Sequence, residues 1–443
     1  MKKLIALAVV FAGLAAFVYF YEIEGQEARD KAQQLEESLL RVQQDQISQV
    51  EIDRKDAAPI RLDRQDESWA LEAPLKTAAD KATVDTLLRG LADAHRERTF
   101  EDVKDEDLGN YGLDAPELTI RVTAGDRKET VLVGSKDFSG TSQYVMLEGS
   151  PTVYLTSTQL RSSADKPLLD WRDKSALKFD RDKVAEVEIR RPNDELHMIK
   201  KDDQWRLTQP IEDRGDETKI SGLLSSLDSA RADRFVDQPP ESLSKYGLEK
   251  PAVIVRLREE GKDDWSELQL GAPDGDDYFA RNPQRTAVFS LRKQVYDDLT
   301  QDAAHFRDLS VLDVQQDKIS SLKIVRGEET LVLHHQDFKW TFESPEDLKG
   351  KEALSYKFWY PLSDMRFTDI LKDVPQAERA DVELVVTLSD GGERQYRYWK
   401  AGDTAYAQCV ESGRGGRISN EDFEKLHFKT ADIVLKDEQN SSE

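Results

Sequence analysis

Apolar and polar residues alternate in short runs along most of the chain, and the pattern of these runs recurs. Trp69, Trp205 and Trp340 lie in similar contexts, 136 and 135 residues apart. Alternation with a period of two predicts β-strands, so each tryptophan is expected on the third strand of an antiparallel meander, facing a core. The two runs that precede each tryptophan are Val50–Ile52 and Ile60–Leu62, Val187–Ile189 and Leu196–Ile199, and Leu322–Ile324 and Leu331–Leu333.

A helical period follows the meander in the first two repeats. Apolar residues stand there at the spacing i, i+3, i+4, i+7, which predicts an amphipathic helix that covers one face of the sheet. These residues are Val84, Leu87, Leu88 and Leu91, and then Ile220, Leu223, Leu224 and Leu227. In the third repeat the run Phe358-Trp359-Tyr360-Pro361 occupies this place, and we expect it to replace the helical face.

Two further motifs are shared by the first two repeats. The pattern L-x-x-Y-G-L-[DE]-x-P spans 108–116 and 243–251, where the glycine supplies the left-handed residue that ends a helical turn. Each of these repeats closes with Trp171-Arg172-Asp173 or Phe306-Arg307-Asp308. The third repeat lacks the Tyr-Gly-Leu turn, so it is the divergent member of the array.

Repeats of about 135 residues are long enough to form separate cores, which favours tandem domains over a solenoid. The expected fold class is α+β, with an N-terminal transmembrane helix followed by three tandem repeats, each a mostly antiparallel sheet covered by helices. The predicted segments are a transmembrane anchor over 1–21, a helical stalk over 22–46, repeat domains over 47–175, 176–311 and 312–434, and a polar tail over 435–443.

The N-terminus carries the strongest signal for location. Leu4–Tyr21 contains no charge and no proline, and its 18 residues would span roughly 27 Å as a helix. A cleaved signal peptide is the alternative, but the run ends in bulky aromatic residues rather than small ones, which favours an uncleaved anchor. Lys2 and Lys3 orient the N-terminus to the cytoplasm. A chain that begins near Gln46 is expected to fold without the anchor.

Composition narrows the classes of function. Lys and Arg number 63 against 87 Asp and Glu, and the formal charge is −24. Nucleic-acid affinity comes mainly from clustered basic residues, so a nucleic-acid partner is disfavoured. Cys409 is the single cysteine, which excludes an internal disulfide and a thiolate zinc site.

A search for catalytic patterns finds none. The chain has no G-x-x-x-x-G-K-[ST], no G-x-S-x-G and no H-E-x-x-H. His334 and His335 are adjacent on a predicted strand and therefore point to opposite faces. The loop from Asp274 to Asp277 resembles a calcium loop, but Arg285 stands where the bidentate Glu is required. We predict no catalytic residue, no metal site and no cofactor.

Five aromatic residues are candidates for a partner or ligand contact. Tyr111 and Tyr246 could form a ligand pair presented by two homologous modules, although a duplicated feature is more often part of the fold. Phe358, Trp359 and Tyr360 could contact a sugar, a lipid or a protein. Core packing is the favoured alternative in both cases, because large aromatic side chains usually bury themselves.

The apolar N-terminus, the sequence Glu-Ile-Glu-Gly after it, the opening strand, the tryptophan hairpin and the repeated Tyr-Gly-Leu turn together resemble the domain-of-unknown-function family 4340. The resemblance covers residues 1–310 well and the third repeat loosely. Members of that family are bacterial, membrane-anchored and often encoded beside ABC-2-type permeases and gliding-motility-type ABC auxiliary proteins. The resemblance implies a role in an envelope transport complex and supplies no active-site residues.

Three functional hypotheses follow. The favoured one is a non-enzymatic, membrane-tethered periplasmic scaffold or binding subunit, accessory to an ABC-type export or envelope complex. Its expected partners are the inner membrane through residues 4–21, ABC permease and ATPase subunits, and a second auxiliary protein. The alternatives are a periplasmic hydrolase acting on glycan or lipid, supported only by the number of carboxylates, and a structural spacer across the periplasm.

Overall fold

A computed structural model describes residues 38–435. The predicted anchor over 1–21, residues 22–37 of the predicted stalk and nearly all of the polar tail lie outside the described residues. Within 38–435, no helix is both long enough and apolar enough to cross a membrane. The described residues form two compact units, one of residues 38–179, 226–254 and 266–296, the other of residues 180–225, 255–265 and 297–435.

The first repeat forms a nine-stranded antiparallel sheet in the order β4-β3-β2-β1-β6-β7-β8-β9-β5. Its strands are β1 Ile47–Arg54, β2 Ala57–Gln65, β3 Ser68–Ala73, β4 Thr77–Ala78, β5 Arg98–Phe100, β6 Leu118–Ala124, β7 Arg127–Lys136, β8 Ser142–Leu147 and β9 Val153–Ser157. Its helices are α1 Lys81–Ala92, α2 Gln159–Ala164 and α3 Leu168–Trp171. Because β4 and β5 lie at opposite edges, the segment that contains α1 links the two edges of the sheet.

The second repeat has the same strand order, β13-β12-β11-β10-β15-β16-β17-β18-β14. Its strands are β10 Val184–Arg191, β11 Asp194–Lys201, β12 Gln204–Gln209, β13 Asp213–Arg214, β14 Arg234–Asp237, β15 Val253–Glu259, β16 Trp265–Asp274, β17 Asp277–Arg281 and β18 Val288–Arg292. Helix α4, Glu217–Ser229, follows β13, and α5, Lys293–Leu299, follows β18.

The third repeat keeps this topology, with the order β22-β21-β20-β19-β24-β25-β26-β27-β23. Its strands are β19 Ile319–Arg326, β20 Glu329–Gln336, β21 Lys339–Ser344, β22 Glu352–Ala353, β23 Phe367–Leu371, β24 Val382–Leu388, β25 Glu393–Ala401, β26 Thr404–Cys409 and β27 Gly415–Ile418. Its helices are α6 Ser355–Ser363, α7 Asn420–Lys425 and α8 Thr430–Ile433. The tandem sheet repeats are therefore confirmed, while the domain boundaries stay a prediction.

The tryptophan of the third strand is buried in every repeat. The exposed fractions of Trp69, Trp205 and Trp340 are 8, 4 and 1%. In the first repeat, Asp80 caps α1 by accepting a hydrogen bond from the Thr83 amide (2.8 Å), and the predicted apolar face of the helix packs into the core. The Tyr-Gly-Leu turn also forms as predicted, with the glycine at residue 112 in the left-handed region (φ 68°).

The expectation that the aromatic run of the third repeat replaces a helix is wrong. Phe358 and Trp359 lie within α6 and are 0 and 2% exposed. Their rings pack against Trp340, with centroid distances of 5.6 and 5.4 Å. Aromatic residues and Pro361 are weak helix formers, but burial against the tryptophan overrides that propensity.

The predicted helical stalk is wrong for residues 38–46. This stretch is irregular apart from a short 3-10 turn, Gln44–Gln46, which leads directly into β1. Leu39, Leu40 and Val42 are buried in the core of the first repeat, with exposed fractions of 0, 1 and 6%. These apolar residues therefore belong to the first domain, because burial in its core removes more apolar surface from water than an isolated helix can.

A chain that begins at Ile47 is expected to be less stable than one that begins at Ser38. Loss of three buried aliphatic side chains should lower the unfolding free energy of the first repeat by on the order of 5 kcal/mol. Urea unfolding of the two chains, followed by tryptophan fluorescence, measures the difference. Identical unfolding curves would show that residues 38–46 do not contribute to the core.

Candidate functional site

The closing motif of the first repeat lies against the edge strand of its own sheet. Arg172 forms an isolated β-bridge with Ala79, and the Asp173 amide donates to the carbonyl of Ala78 (2.9 Å). These contacts place the Arg172 side chain directly after β4. The motif that the sequence repeats is thus a backbone clamp that positions an arginine.

The closing motif of the second repeat makes the same backbone contacts. Arg307 bridges Gly215, and the Asp308 amide donates to the carbonyl of Arg214 (2.9 Å). The two clamps are therefore equivalent, position by position. Counting back two residues from the bridged residue, Asp213 in the second repeat corresponds to Thr77 in the first.

Asp213 binds two arginines. Its side chain is 6% exposed, and it accepts hydrogen bonds from Arg307 Nε (2.6 Å) and Arg414 Nε (2.8 Å). Burial opposes ionisation of the carboxyl, but the charge and hydrogen bond of Arg414 and the hydrogen bond of Arg307 outweigh it and lower the pKa of Asp213. This carboxylate therefore neutralises two partly buried guanidinium groups.

Arg172, the counterpart of Arg307, has no carboxylate partner among the described residues. The residue is 6% exposed, and its Nε is buried without a hydrogen-bond partner. Its Nη2 donates to Gln238 Oε1, and the guanidinium carbon lies 3.3 Å from the centroid of the Phe235 ring. Burial, and then the nearby charge of Arg285, lower the pKa of Arg172 to about 10. Thr77 supplies no charge at the position that Asp213 occupies in the second repeat.

An open groove of about 460 Å³ runs past this arginine. That volume is within the range of roughly 300–1,000 Å³ typical of small-molecule sites. The apolar lining consists of Leu75, Phe235, Val236 and Pro239, and the polar lining of Arg172, Asp237, Gln238 and Thr286. The groove thus combines an apolar wall with a buried cation.

Asp237 is the acidic residue in the lining, and its carboxylate already has partners. Oδ2 accepts a hydrogen bond from the Tyr246 hydroxyl (2.7 Å) and lies 3.0 Å from Lys245 Nζ. The hydrogen bonds of Tyr246 and Lys245 lower the pKa of Asp237. The carboxylate is therefore ionised and paired rather than available to Arg172.

The two tyrosines predicted as a ligand pair pack within separate clusters. Tyr111 is half-buried and contacts the rings of Phe100 and Tyr144, with centroid distances of 5.8 and 5.0 Å. Tyr246 is buried and packs against Phe279, with a centroid distance of 5.0 Å. Both rings contribute to packing, and of the two hydroxyls only that of Tyr246 reaches a residue of the groove. A ligand contact of either tyrosine stays a prediction.

The three aromatic candidates of the third repeat have different surroundings. Phe358 and Trp359 are buried, so direct contact of either side chain with a partner is incompatible with the folded domain. Tyr360 is 51% exposed on the same helix. A contact through Tyr360 stays a prediction.

Sequence reasoning identified the closing motif but not the groove. The usable signal was the contrast between Thr77 and Asp213, two positions that become equivalent only when the register of β4 and β13 is known. Among residues 38–435, no cluster of three or more His, Cys, Asp or Glu side chains could hold a metal ion.

One family model matches the chain twice, over residues 69–239 and 205–392, and its description is a domain of unknown function, DUF4340. The first match begins at the tryptophan of the first repeat and the second at that of the second repeat. The first match also includes every residue that lines the groove except Thr286, which lies in the second match. Comparison with curated proteins and with solved structures gave no match.

Replacement of Trp359 by Ala is expected to lower the unfolding free energy of the third repeat by about 3–5 kcal/mol, because the ring is buried against Trp340. Tyr360→Ala, one residue along the same helix, is the matched control and should change stability by about 0.5 kcal/mol or less. Urea unfolding of both variants measures the difference. Equal effects would contradict the burial described for this helix.

The variant Asp213→Asn should lower the unfolding free energy by on the order of 3 kcal/mol at pH 7, because it leaves two partly buried arginines without their carboxylate. The pKa of Asp213 is lower in the folded protein than the value of about 3.9 in the unfolded chain. Its contribution is therefore complete above about pH 4 and disappears as the pH falls through the lower, folded-state pKa.

Unfolding free energies at pH 7 and at steps down to pH 3 test this. The difference between wild type and Asp213→Asn should narrow at the acid end. Asp182→Asn, at a side chain that is 88% exposed, is the control and should have little effect at any pH. A constant difference across the series would show that the carboxylate charge is not the stabilising element.

Proposed function

The chain belongs to the DUF4340 family, since the two matches together span residues 69–392. From this premise we propose that it is a non-enzymatic scaffold or binding subunit. In this proposal it is tethered to the bacterial inner membrane and lies in the periplasm. We further propose that it is an accessory component of an ABC-type export or envelope complex. The expected partners are permease and ATPase subunits and a second auxiliary protein.

The contact between the second and third repeats carries this proposal. Arg414, in the turn between β26 and β27, donates to Asp213 in the second repeat and to the carbonyl of Ser310 (2.9 Å). Arg214 of the second repeat in turn lies 3.7 Å from Asp313. Ion pairs with partly buried members hold neighbouring modules in one arrangement, whereas a flexible linker would let them move independently. A fixed arrangement of modules is what a scaffold requires.

The sequence supports the tether. The uncharged run Leu4–Tyr21 has the length of a membrane-spanning helix and is preceded by two lysines, which favour a cytoplasmic N-terminus. A single pass with this orientation would leave the three repeats in the periplasm. The acidic character of the chain, with a formal charge of −24, argues against a nucleic-acid partner.

One observation favours the hydrolase alternative. Burial, and then a hydrogen bond that the protonated carboxyl donates to Glu195, raise the pKa of Glu188, as a general acid would require. Glu188 nevertheless lies on β10 and forms ion pairs with Arg190 and with Arg256, whose Nη1 is 4.0 Å from Oε2. These contacts are ion pairs between side chains on the sheet, and such pairs are also found where no catalysis occurs. The scaffold therefore remains the better-supported proposal.

The proposal predicts that the full-length chain, extracted in a mild non-ionic detergent, co-purifies with a permease and an ATPase. A reporter that is active only outside the cytoplasm, fused after Glu443, should be active in the same cells. Removal of residues 1–21 is the control, and it should abolish both reporter activity and membrane association. The readouts are mass spectrometry of the purified complex and reporter activity.

Three results would contradict this proposal. Recovery of a soluble protein that begins near residue 22 would show a cleaved signal rather than an anchor. Purification without transporter subunits, together with a hydrolytic activity that Glu188→Gln removes, would favour the enzyme alternative. A stable protein with neither partners nor activity would favour the third hypothesis, a structural spacer across the periplasm.

A further inference from the structure

Arg172 is held like Arg307 but lacks, among the described residues, the carboxylate partner that Arg307 has. The same clamp holds Arg307 in the second repeat, where Nε donates to a buried carboxylate at 2.6 Å. The Nε of Arg172 is buried and has no partner within the described part of the chain. Burial of a charged group without a counter-ion is costly. An anion bound beside Arg172 would remove that cost.

The two carboxylates near Arg172, those of Asp173 and Asp237, already have other partners. Asp173 accepts a hydrogen bond from Arg285 Nη2 (2.6 Å) and lies 2.7 Å from Lys178 Nζ. Asp237, in the groove, is paired with Lys245 and with the Tyr246 hydroxyl. Neither acid forms an ion pair with Arg172, so these two carboxylates do not neutralise the positive charge of Arg172.

The groove offers Arg172 to a ligand. Nη1 makes no hydrogen bond to the described residues and, unlike Nε, keeps some solvent-accessible surface, so it is the nitrogen that a ligand in the groove can reach. Phe235 covers one face of the guanidinium, which fixes its plane. A fixed, planar guanidinium with free N–H groups is suited to carboxylate and phosphate oxygens.

The apolar wall defines the rest of the ligand. Leu75, Phe235, Val236 and Pro239 line the same groove as the arginine. A hydrated inorganic anion would leave these side chains uncovered, whereas a hydrocarbon body would bury them. The chemistry of the groove therefore matches an amphiphile that carries a single anionic group.

We propose that this groove binds a small amphiphile, with a carboxylate or phosphate group at Arg172 and a short hydrocarbon body along Leu75, Phe235 and Pro239. The bound anion supplies Arg172 with the negative charge that Asp213 supplies to Arg307 in the second repeat, although it approaches through Nη1 rather than Nε. This inference goes beyond the scaffold role and is tested separately from it, because loss of amphiphile binding would leave co-purification with a transporter unaffected.

Isothermal titration of the full chain, in a non-ionic detergent, tests the proposal with octanoate, octyl phosphate, octanol and octyltrimethylammonium. The two anions should bind at least tenfold more tightly than the neutral and cationic probes. Preference for octanoate over octyl phosphate, or the reverse, identifies the source as a fatty acid or a phosphate ester. Titration into detergent alone provides the background of micelle partitioning.

Thr77→Asp is the decisive variant, because it places a carboxylate where the second repeat has Asp213. It should weaken binding of both anions at least tenfold while the protein stays folded. Thr77→Asn is the matched control, similar in size but uncharged, and should retain binding. Arg172→Gln provides a second, independent removal of the charge interaction if Thr77→Asp proves unstable in thermal unfolding.

Three outcomes would overturn the proposal. These are failure of both anions to bind, equal binding of octanol and octanoate, and equal binding of the anions to the Thr77→Asp and Thr77→Asn variants. Tighter anion binding in Asp237→Asn than in wild type would support it, because removal of a competing negative charge from the lining should favour an anionic ligand.

Discussion

Each repeat depends on the connection, built around one helix, that joins the two edge strands of its sheet. In the first repeat, β4 and β5 lie at opposite edges, and the segment that contains α1 links them. The helix buries its apolar side on the core that contains Trp69, and the other strands pair outward from β1. The closing motif of the repeat attaches to the short strand that precedes the helix.

The clamps at the ends of the first two repeats show how one backbone arrangement supports two electrostatic states. The second clamp encloses a complete ion pair, since Arg307 and Arg414 share Asp213. The first holds Arg172 against Phe235 and Gln238, with no carboxylate partner in the range 38–435. A single position in a two-residue edge strand, Thr77 in one repeat and Asp213 in the other, distinguishes the two states. The two copies of the module can therefore differ in binding without a change of fold.

The spacing of apolar residues along the chain predicted the elements that depend on neighbouring residues alone. The spacing of Val84 to Leu91 predicted α1, and alternation predicted the meander strands. Helix α6 was missed because Pro361 and three aromatic residues disfavour a helix locally, while packing on Trp340 stabilises it. The role of Arg172 could not be predicted, because it depends on Thr77, a residue distant in the sequence that the register of an edge strand brings into equivalence with Asp213.

The two-residue edge strands also limit how these sheets can associate. Strands β4, β13 and β22 each contain two residues, so this edge of each sheet offers little backbone for an incoming strand to pair with. Recruitment of another chain by strand addition is therefore disfavoured at these edges. Recognition at these edges must therefore use side chains, and a longer strand at the opposite edge, such as β23 with five residues, is the better template for strand addition.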